Sequence, residues 1–157
     1  LGDGVFNGHI FQEAGGRFGI GSDSNIRISL SEELRTLEYS QRLKHRSRSV
    51  FSTSEKSTGR QLYDNICSGG AQAAGRNSGK IELGNFADLL SINTDNVNLI
   101  GRTGDIILDS WIFSANDLVI ENVWAAGRHL VKGGKHIRHE DITKKYSKII
   151  SRLQDVI

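Results

Sequence analysis

The sequence predicts a mixed α/β chain built in three parts, and three features of its patterning carry that prediction. Residues 1–76 read as helix, glycine stop, apolar run, polar loop and helix, the unit from which α/β folds are assembled. After Gly75 the texture changes to short strand-like segments, which make 77–138 a small β module. In 139–157, Ile142, Tyr146, Ile149, Ile150, Leu153 and Ile157 repeat at helical spacing, an amphipathic terminal helix.

Each element has its own signal. Phe6, Ile10, Phe11 and Ala14 lie at mostly helical spacing, and Gly15-Gly16 ends that run. Arg17-Phe-Gly-Ile-Gly21 reads as a buried strand, followed at once by the polar cluster Ser22-Asp-Ser-Asn25. Ser29 and Glu32, three apart, form a capping box that opens a helix over Leu30 to Lys44. Leu30, Leu34 and Leu37 share its apolar face, and Glu38 with Arg42 is expected as a solvent-side i,i+4 pair. Lys44 to Thr58, basic and then serine-rich, reads as a helix end running into a surface loop.

A further helix is predicted over Arg60 to Ala74, with Leu62, Ile66 and Ala73 along one side. Its Gly69, Gly70 and Ala71 would permit another element to approach closely. Ile81–Asn85 and Ala87–Ile92 read as strands, and Ile106 to Phe113 as a further short element. Val119–Ala125 and Arg128–Lys132 read as hairpin arms joined near Ala126-Gly127.

Composition narrows the function classes. In 157 residues, 37% are hydrophobic and 24% charged, which suits a globular chain. No apolar run approaches the roughly 20 residues that span a bilayer, and no basic-then-apolar leader is visible. A single cysteine, Cys67, excludes an intramolecular disulfide framework and fits a reducing, cytoplasmic compartment; a small side chain packed on a helix accounts for it. A formal charge of +2 argues against nucleic-acid or anionic-membrane partners. The chain contains no Met and starts at Leu1, which leads to the expectation that it is a piece of something longer.

Among motifs, Gly2-Asp-Gly4 and Gly16–Gly21 lack both the G-x-G-x-x-G spacing and a following G-K-[ST], so turns account for them. None of the five histidines, His9, His45, His129, His136 and His139, has metal-helix spacing; His136 and His139 fall in a solvated, charged stretch. The basic run Arg42–Arg48 lacks interleaved aromatics and reads as a helix end. Asp23 remains. It follows the predicted buried strand, where an α/β barrel gathers its active-site residues, although an aspartate there also serves as a turn or capping residue.

Three passages resemble the amidohydrolase superfamily: Gly19-Ile-Gly-Ser-Asp-Ser-Asn25, then Gly69–Arg76 with Gly79–Leu90, then Val123–Lys132. The first is similar to the end of the superfamily's eighth barrel strand, the second to its passage from barrel to β-sandwich, the third to its final hairpin. In finer detail, Leu1–Asn7, Gly15–Asn25, Ser29–Leu43 and Trp111-Ile-Phe113 resemble its deiminases of a linear amidine.

The resemblance implies the C-terminal part of a (β/α)8 TIM barrel over 1–76, part of a β-sandwich over 77–138 and a terminal helix over 139–157. It implies a cytoplasmic, zinc-dependent hydrolase in histidine catabolism, a homodimer when full length, that turns N-formimino-L-glutamate and water into N-formyl-L-glutamate and ammonia. Asp23 is the residue matching the superfamily's strand-eight aspartate, with an implied role as metal contact and as general base then acid; Ser24 and Asn25 orient the substrate or Asp23, or simply shape the loop. The superfamily's His-x-His pair and its strand-five and strand-six histidines have no counterpart here, so the chain alone is expected to bind zinc weakly and to be inactive. Two alternatives stay open: a related deaminase or chlorohydrolase acting on a heterocyclic amine, and a non-catalytic module that acts alone.

Overall fold

The computed structural model describes residues 2–154, so the expectation for Ile157 lies outside the described residues. Three helices precede the sheet: α1 (Gly8–Glu13), α2 (Leu30–His45) and α3 (Thr58–Ala73). Strand β1 (Leu89–Ile92) is followed by α4 (Asp105–Phe113) and a 3-10 turn at Asp117–Val119. Then come β2 (Ile120–Ala125), β3 (Arg128–Lys132), the short β4 (Lys135–His136) and α5 (His139–Gln154). The sheet is an antiparallel meander in the order β1-β2-β3-β4. The β2–β3 turn falls at Ala126-Gly127, both with positive φ, as a tight hairpin requires.

Two apolar clusters hold the chain. Leu34, Phe51, Leu62, Ile66 and Ile112 fill the space between α2, α3 and α4. Leu99, Trp111, Ala115 and Val119 pack with Leu90, Ile92 and Ile120 under the sheet. Helix α4 supplies both clusters from adjacent residues, Trp111 to the second and Ile112 to the first, each fully buried. The short apolar stretch 106–113 is therefore the element that joins the helical part to the sheet. Arg35 fastens it from α2, donating Nε to the Ile112 carbonyl at 2.7 Å and Nη2 to the Ala115 carbonyl at 2.8 Å. These carbonyls close the C-terminal end of α4, where cations are favoured.

Helix α2 begins as its cap predicts, but half of the expected box is used elsewhere. Ser29 Oγ accepts from the Glu32 amide at 3.2 Å, while the Glu32 carboxylate pairs with Arg27 at 2.7 Å. The expectation for Glu38 is corrected outright: it is fully buried rather than solvent-facing. Its carboxylate accepts from the amides of Val50 and Phe51 at 2.9 and 3.2 Å and from Arg42 Nε at 2.6 Å. The loop after α2 therefore folds back over the helix, and Phe51 becomes a core residue instead of a surface one. A buried carboxylate is tolerable because three donors replace its water.

Two further corrections concern strands. Ile81–Asn85 is a turn region with Ile81 and Leu83 exposed. Arg17–Gly21 is not hydrogen-bonded as a strand among the described residues; its side chains alternate, with Phe18 and Ile20 half-buried. The period of two is a strand pattern, yet a strand also needs a neighbour for its N–H and C=O groups. What the segment does have is helix α3. A Cβ on Gly19 would lie 3.1 Å from Gly70 Cα, and one on Gly69 would overlap the Phe18 carbonyl, with the Phe18 nitrogen 2.7 Å away. The small-residue face of α3 is thus used as expected, by the segment that leads to Asp23.

The sheet is tied back to α3 through Asp88. Arg76 grips its carboxylate with Nε at 2.8 Å and Nη2 at 3.1 Å, and Asp88 Oδ1 also accepts from the Ala126 amide at 2.7 Å. The Arg76 guanidinium lies 4.2 Å from the Phe86 ring centroid. Helix α5 has the expected periodicity, but no residue of it is buried, and Ile142, Tyr146, Ile149 and Leu153 are exposed.

Two outcomes follow. Gly69→Ala forces apart the Phe18 backbone and α3, and is expected to cost about 1–3 kcal/mol in denaturant unfolding, as overpacking does. Gly70→Ala, whose Cβ meets nothing within 4 Å, is expected to be neutral or stabilising by up to ~1 kcal/mol through helix propensity. The hydrogen bonds from Arg76 and the Ala126 amide hold the Asp88 carboxyl below its ordinary 3.8. Its contribution to stability is therefore complete above that value and is lost as pH falls through the lower folded one. An NMR titration of the Asp88 carboxyl carbon should show the depressed midpoint, and Arg76→Gln should move it back toward 3.8.

Candidate functional site

The segment crossing α3 ends in a four-residue turn, Ser22 to Asn25, closed by the Asn25 amide donating to the Ser22 carbonyl at 2.7 Å. Asp23 is the second residue of that turn, is exposed, and has φ +43. Non-glycine residues seldom adopt this left-handed region, and Asp and Asn are among the few that do so at small cost. So the turn role weighed for Asp23 is real in its backbone. It leaves the carboxylate in solvent rather than in a helix cap, because Ser29 takes the cap of α2.

Grooves flank the turn. One of about 480 Å³ is lined by Val5, Phe6, Phe18, Ile20, Glu33 and Leu37 among others. A second, about 240 Å³, includes Ser22, Ile28 and Glu33, and a third, about 260 Å³, includes Asn25, Arg27 and Glu33. Glu33, half-buried in the first turn of α2, is common to all three, and its Oε1 accepts from Asn25 Nδ2 at 2.9 Å. Spacing does not reveal this pair: eight residues apart, across a loop, they follow no helical or strand period.

Behind the turn, Asp117 anchors the start of α2. Its Oδ2 accepts from Ser29 Oγ at 2.8 Å, and its Oδ1 from the Ser31 amide at 3.1 Å and Trp111 Nε1 at 3.2 Å. Neither Asp117 nor Glu33 was singled out from the sequence.

A zinc ion needs three or four protein donors. Among the described residues no group of three or more His, Cys, Asp or Glu side chains is placed to hold a metal. His9 and His45 meet edge-on at 5.7 Å and His9 pairs with Glu13 at 3.3 Å, all on or beside α1 and α2. His129 stacks on Trp124 and bonds Asn122, while His136 and His139 are exposed. One exposed carboxylate does not make a zinc site, so the chain's own donors do not fit a bound metal.

The profile of the amidohydrolase family matches residues 3–130, more than half of the chain. The chain belongs to the amidohydrolase family. It is 40% identical to the formimidoylglutamate deiminase of Pseudomonas aeruginosa over 156 residues, which are 99% of this chain and 34% of that protein. The crystal structure of an amidohydrolase from Brucella melitensis superposes with a TM-score of 0.87 at 43% identity, over 98% of this chain and 34% of that one. A zinc-bound adenosine deaminase from Xanthomonas campestris has a TM-score of 0.77 at 19% identity, over 94% of this chain and 34% of that one, a likeness of fold alone. The chain thus spans about a third of the length of the relatives it matches. As in the sequence reading, this amidohydrolase chain is mixed α/β with a small antiparallel sheet. Among its described residues no helix is long and apolar enough to cross a membrane.

The groups that burial perturbs, Tyr63 and Cys67, lie one turn apart on α3 rather than in the Ser22–Asn25 turn. Burial raises the Tyr63 hydroxyl and, as the main cause, the Cys67 thiol, with the Tyr63 hydrogen bond partly opposing it at Cys67. A raised thiol pKa leaves little thiolate at neutral pH. Cys67 is therefore expected to react with iodoacetamide at pH 7.5 several-fold more slowly than free cysteine, and to reach the free-thiol rate in denaturant.

Proposed function

We propose that this chain is the C-terminal portion of a deiminase that hydrolyses N-formimino-L-glutamate to N-formyl-L-glutamate and ammonia. The observation that carries the reading is the 40% identity to a formimidoylglutamate deiminase along 99% of the chain. In this reading residues 1–76 are the last βα portion of a (β/α)8 barrel, 77–138 part of a β-sandwich, and 139–157 a terminal helix. The exposed Val5, Phe6, Ile26 and Ile28 beside the half-buried Phe18 and Ile20 support it, since an apolar edge of this kind asks for neighbouring strands. The full-length protein is proposed to be a cytoplasmic homodimer.

Asp23 is the chain's proposed catalytic residue, supported by its place at the end of the Phe18–Gly21 segment and by its exposed carboxylate. It would take a proton from the attacking water as the new C–O bond forms at the formimino carbon. It would then return that proton to the imino nitrogen and relay the second one from the hydroxyl as the C=O bond forms, so the nitrogen leaves as ammonia, one water is consumed and the C–N bond is broken. The zinc ion implied by the family resemblance would draw its other ligands from outside this chain, with Asp23 as the single contact made here. Asp23 is exposed in its left-handed turn, which suits the role.

The test is ammonia release from N-formimino-L-glutamate by the complete protein beside its Asp23→Asn variant. Turnover is expected in the parent and a loss of about 10²–10⁴ in kcat in the variant, the size of a general acid–base contribution. The 157-residue chain alone is expected to release none. Absence of turnover by zinc-loaded complete protein would overturn the substrate assignment and favour a heterocyclic amine.

A further inference from the structure

We propose that Glu33 is a positioning residue for the reaction: through its bond to Asn25 it holds the turn that presents Asp23. The inference rests on the deiminase reading above. Three features of the structure carry it. The turn is closed across its own backbone, from Asn25 to Ser22, and its second residue sits in the left-handed region. An exposed turn of that kind has relaxed alternatives within reach, unless something outside the turn fixes one end. That something is the 2.9 Å bond from Asn25 Nδ2 to Glu33 Oε1.

Glu33 is itself well placed to be a fixed point. It lies in the first turn of α2, half-buried, with its amide donating to the Ser29 carbonyl at 3.1 Å. Ser29 and the Ser31 amide are in turn held by Asp117, whose Oδ1 also accepts from the buried Trp111. A continuous line of hydrogen bonds thus runs from the core to the turn, and Glu33–Asn25 is its last link. A base must come within hydrogen-bond reach of the proton it takes, so loosening this link costs rate through misplacement rather than through lost affinity. Glu33 acts through Asn25 and Asp23 and touches no reacting atom.

The experiment uses the complete protein with Glu33→Ala, Glu33→Gln, Asn25→Ala and the double alanine variant. Glu33→Ala is expected to lower kcat about tenfold or more. KM should stay within about twofold, the pattern of an effect confined to the transition state. Glu33→Gln should restore most of the rate, because its amide oxygen accepts the same Asn25 donor. The double variant should be no worse than either single one. Lys80→Gln, which removes the exposed Lys80–Glu82 pair, should leave kcat unchanged.

Amide hydrogen exchange over residues 22–28 supplies a readout independent of substrate, expected to rise in Glu33→Ala and not in Glu33→Gln. Unchanged kcat and exchange in Glu33→Ala, no rescue by glutamine, or multiplying single effects would overturn the proposal. If Glu33→Ala does not fold, Asn25→Asp sets two carboxylates against each other and is read in its place, with the same expected fall. If the parent releases no ammonia from N-formimino-L-glutamate, it is the deiminase reading that fails. The exchange comparison then decides the tether by itself, a rise upholding it and no rise ending it.

Discussion

Much of this structure depends on one carboxylate. Asp117 gathers a serine hydroxyl, a backbone amide and an indole N–H from two helices and from the residue that caps one of them. It stands where the chain turns from α4 into β2, so the same residue sets the start of α2 and the entry to the sheet. Three neutral donors on a charged acceptor offset its desolvation, and each of them would otherwise sit near the core without water. Because α2 starts from that point, so does everything hung from its first turn, Glu33 included.

The second constraint is steric. Helix α3 has no side chain at Gly69, and the Phe18–Gly19 backbone lies against the helix there. Gly79, with φ +87, meets the same helix at the Cys67 carbonyl, so a second loop segment also packs closely on α3. These contacts place the Ser22–Asn25 turn at a defined height above the helices without any strand pairing. Val5, Phe6, Ile26 and Ile28 stay uncovered, as do the apolar face of α5 and Ile81 with Leu83. Exposed apolar patches often serve as contact sites, and the chain spans about a third of the length of its relatives.

Helix α4 shows how energetics and topology meet. Adjacent residues Trp111 and Ile112 feed different apolar clusters, so α4 cannot shift to suit one without disturbing the other. Arg35 closes its end from α2. Helices α2 to α4 and the sheet are in this way packed together, although their sequences differ in texture.

By itself the sequence determined what local rules determine. The caps at Ser29, the hairpin at Ala126-Gly127, the β1 strand, the period of the last helix and the small-residue face of α3 were all legible, because each depends on neighbours within a few residues. The Asp23 turn was legible as a polar cluster after an apolar run, and family likeness was carried by the same short passages. Tertiary structure decided the rest. Glu38 is inside because a later loop brings Val50 and Phe51 amides to it, and no i,i+4 rule anticipates donors twelve and thirteen residues away. Ile81–Asn85 carries strand-like residues but forms a turn, since β propensity counts only where a partner edge is present. Asp117 and Glu33 gain their roles from partners that the fold brings across 86 and 8 residues, a separation at which spacing carries no signal.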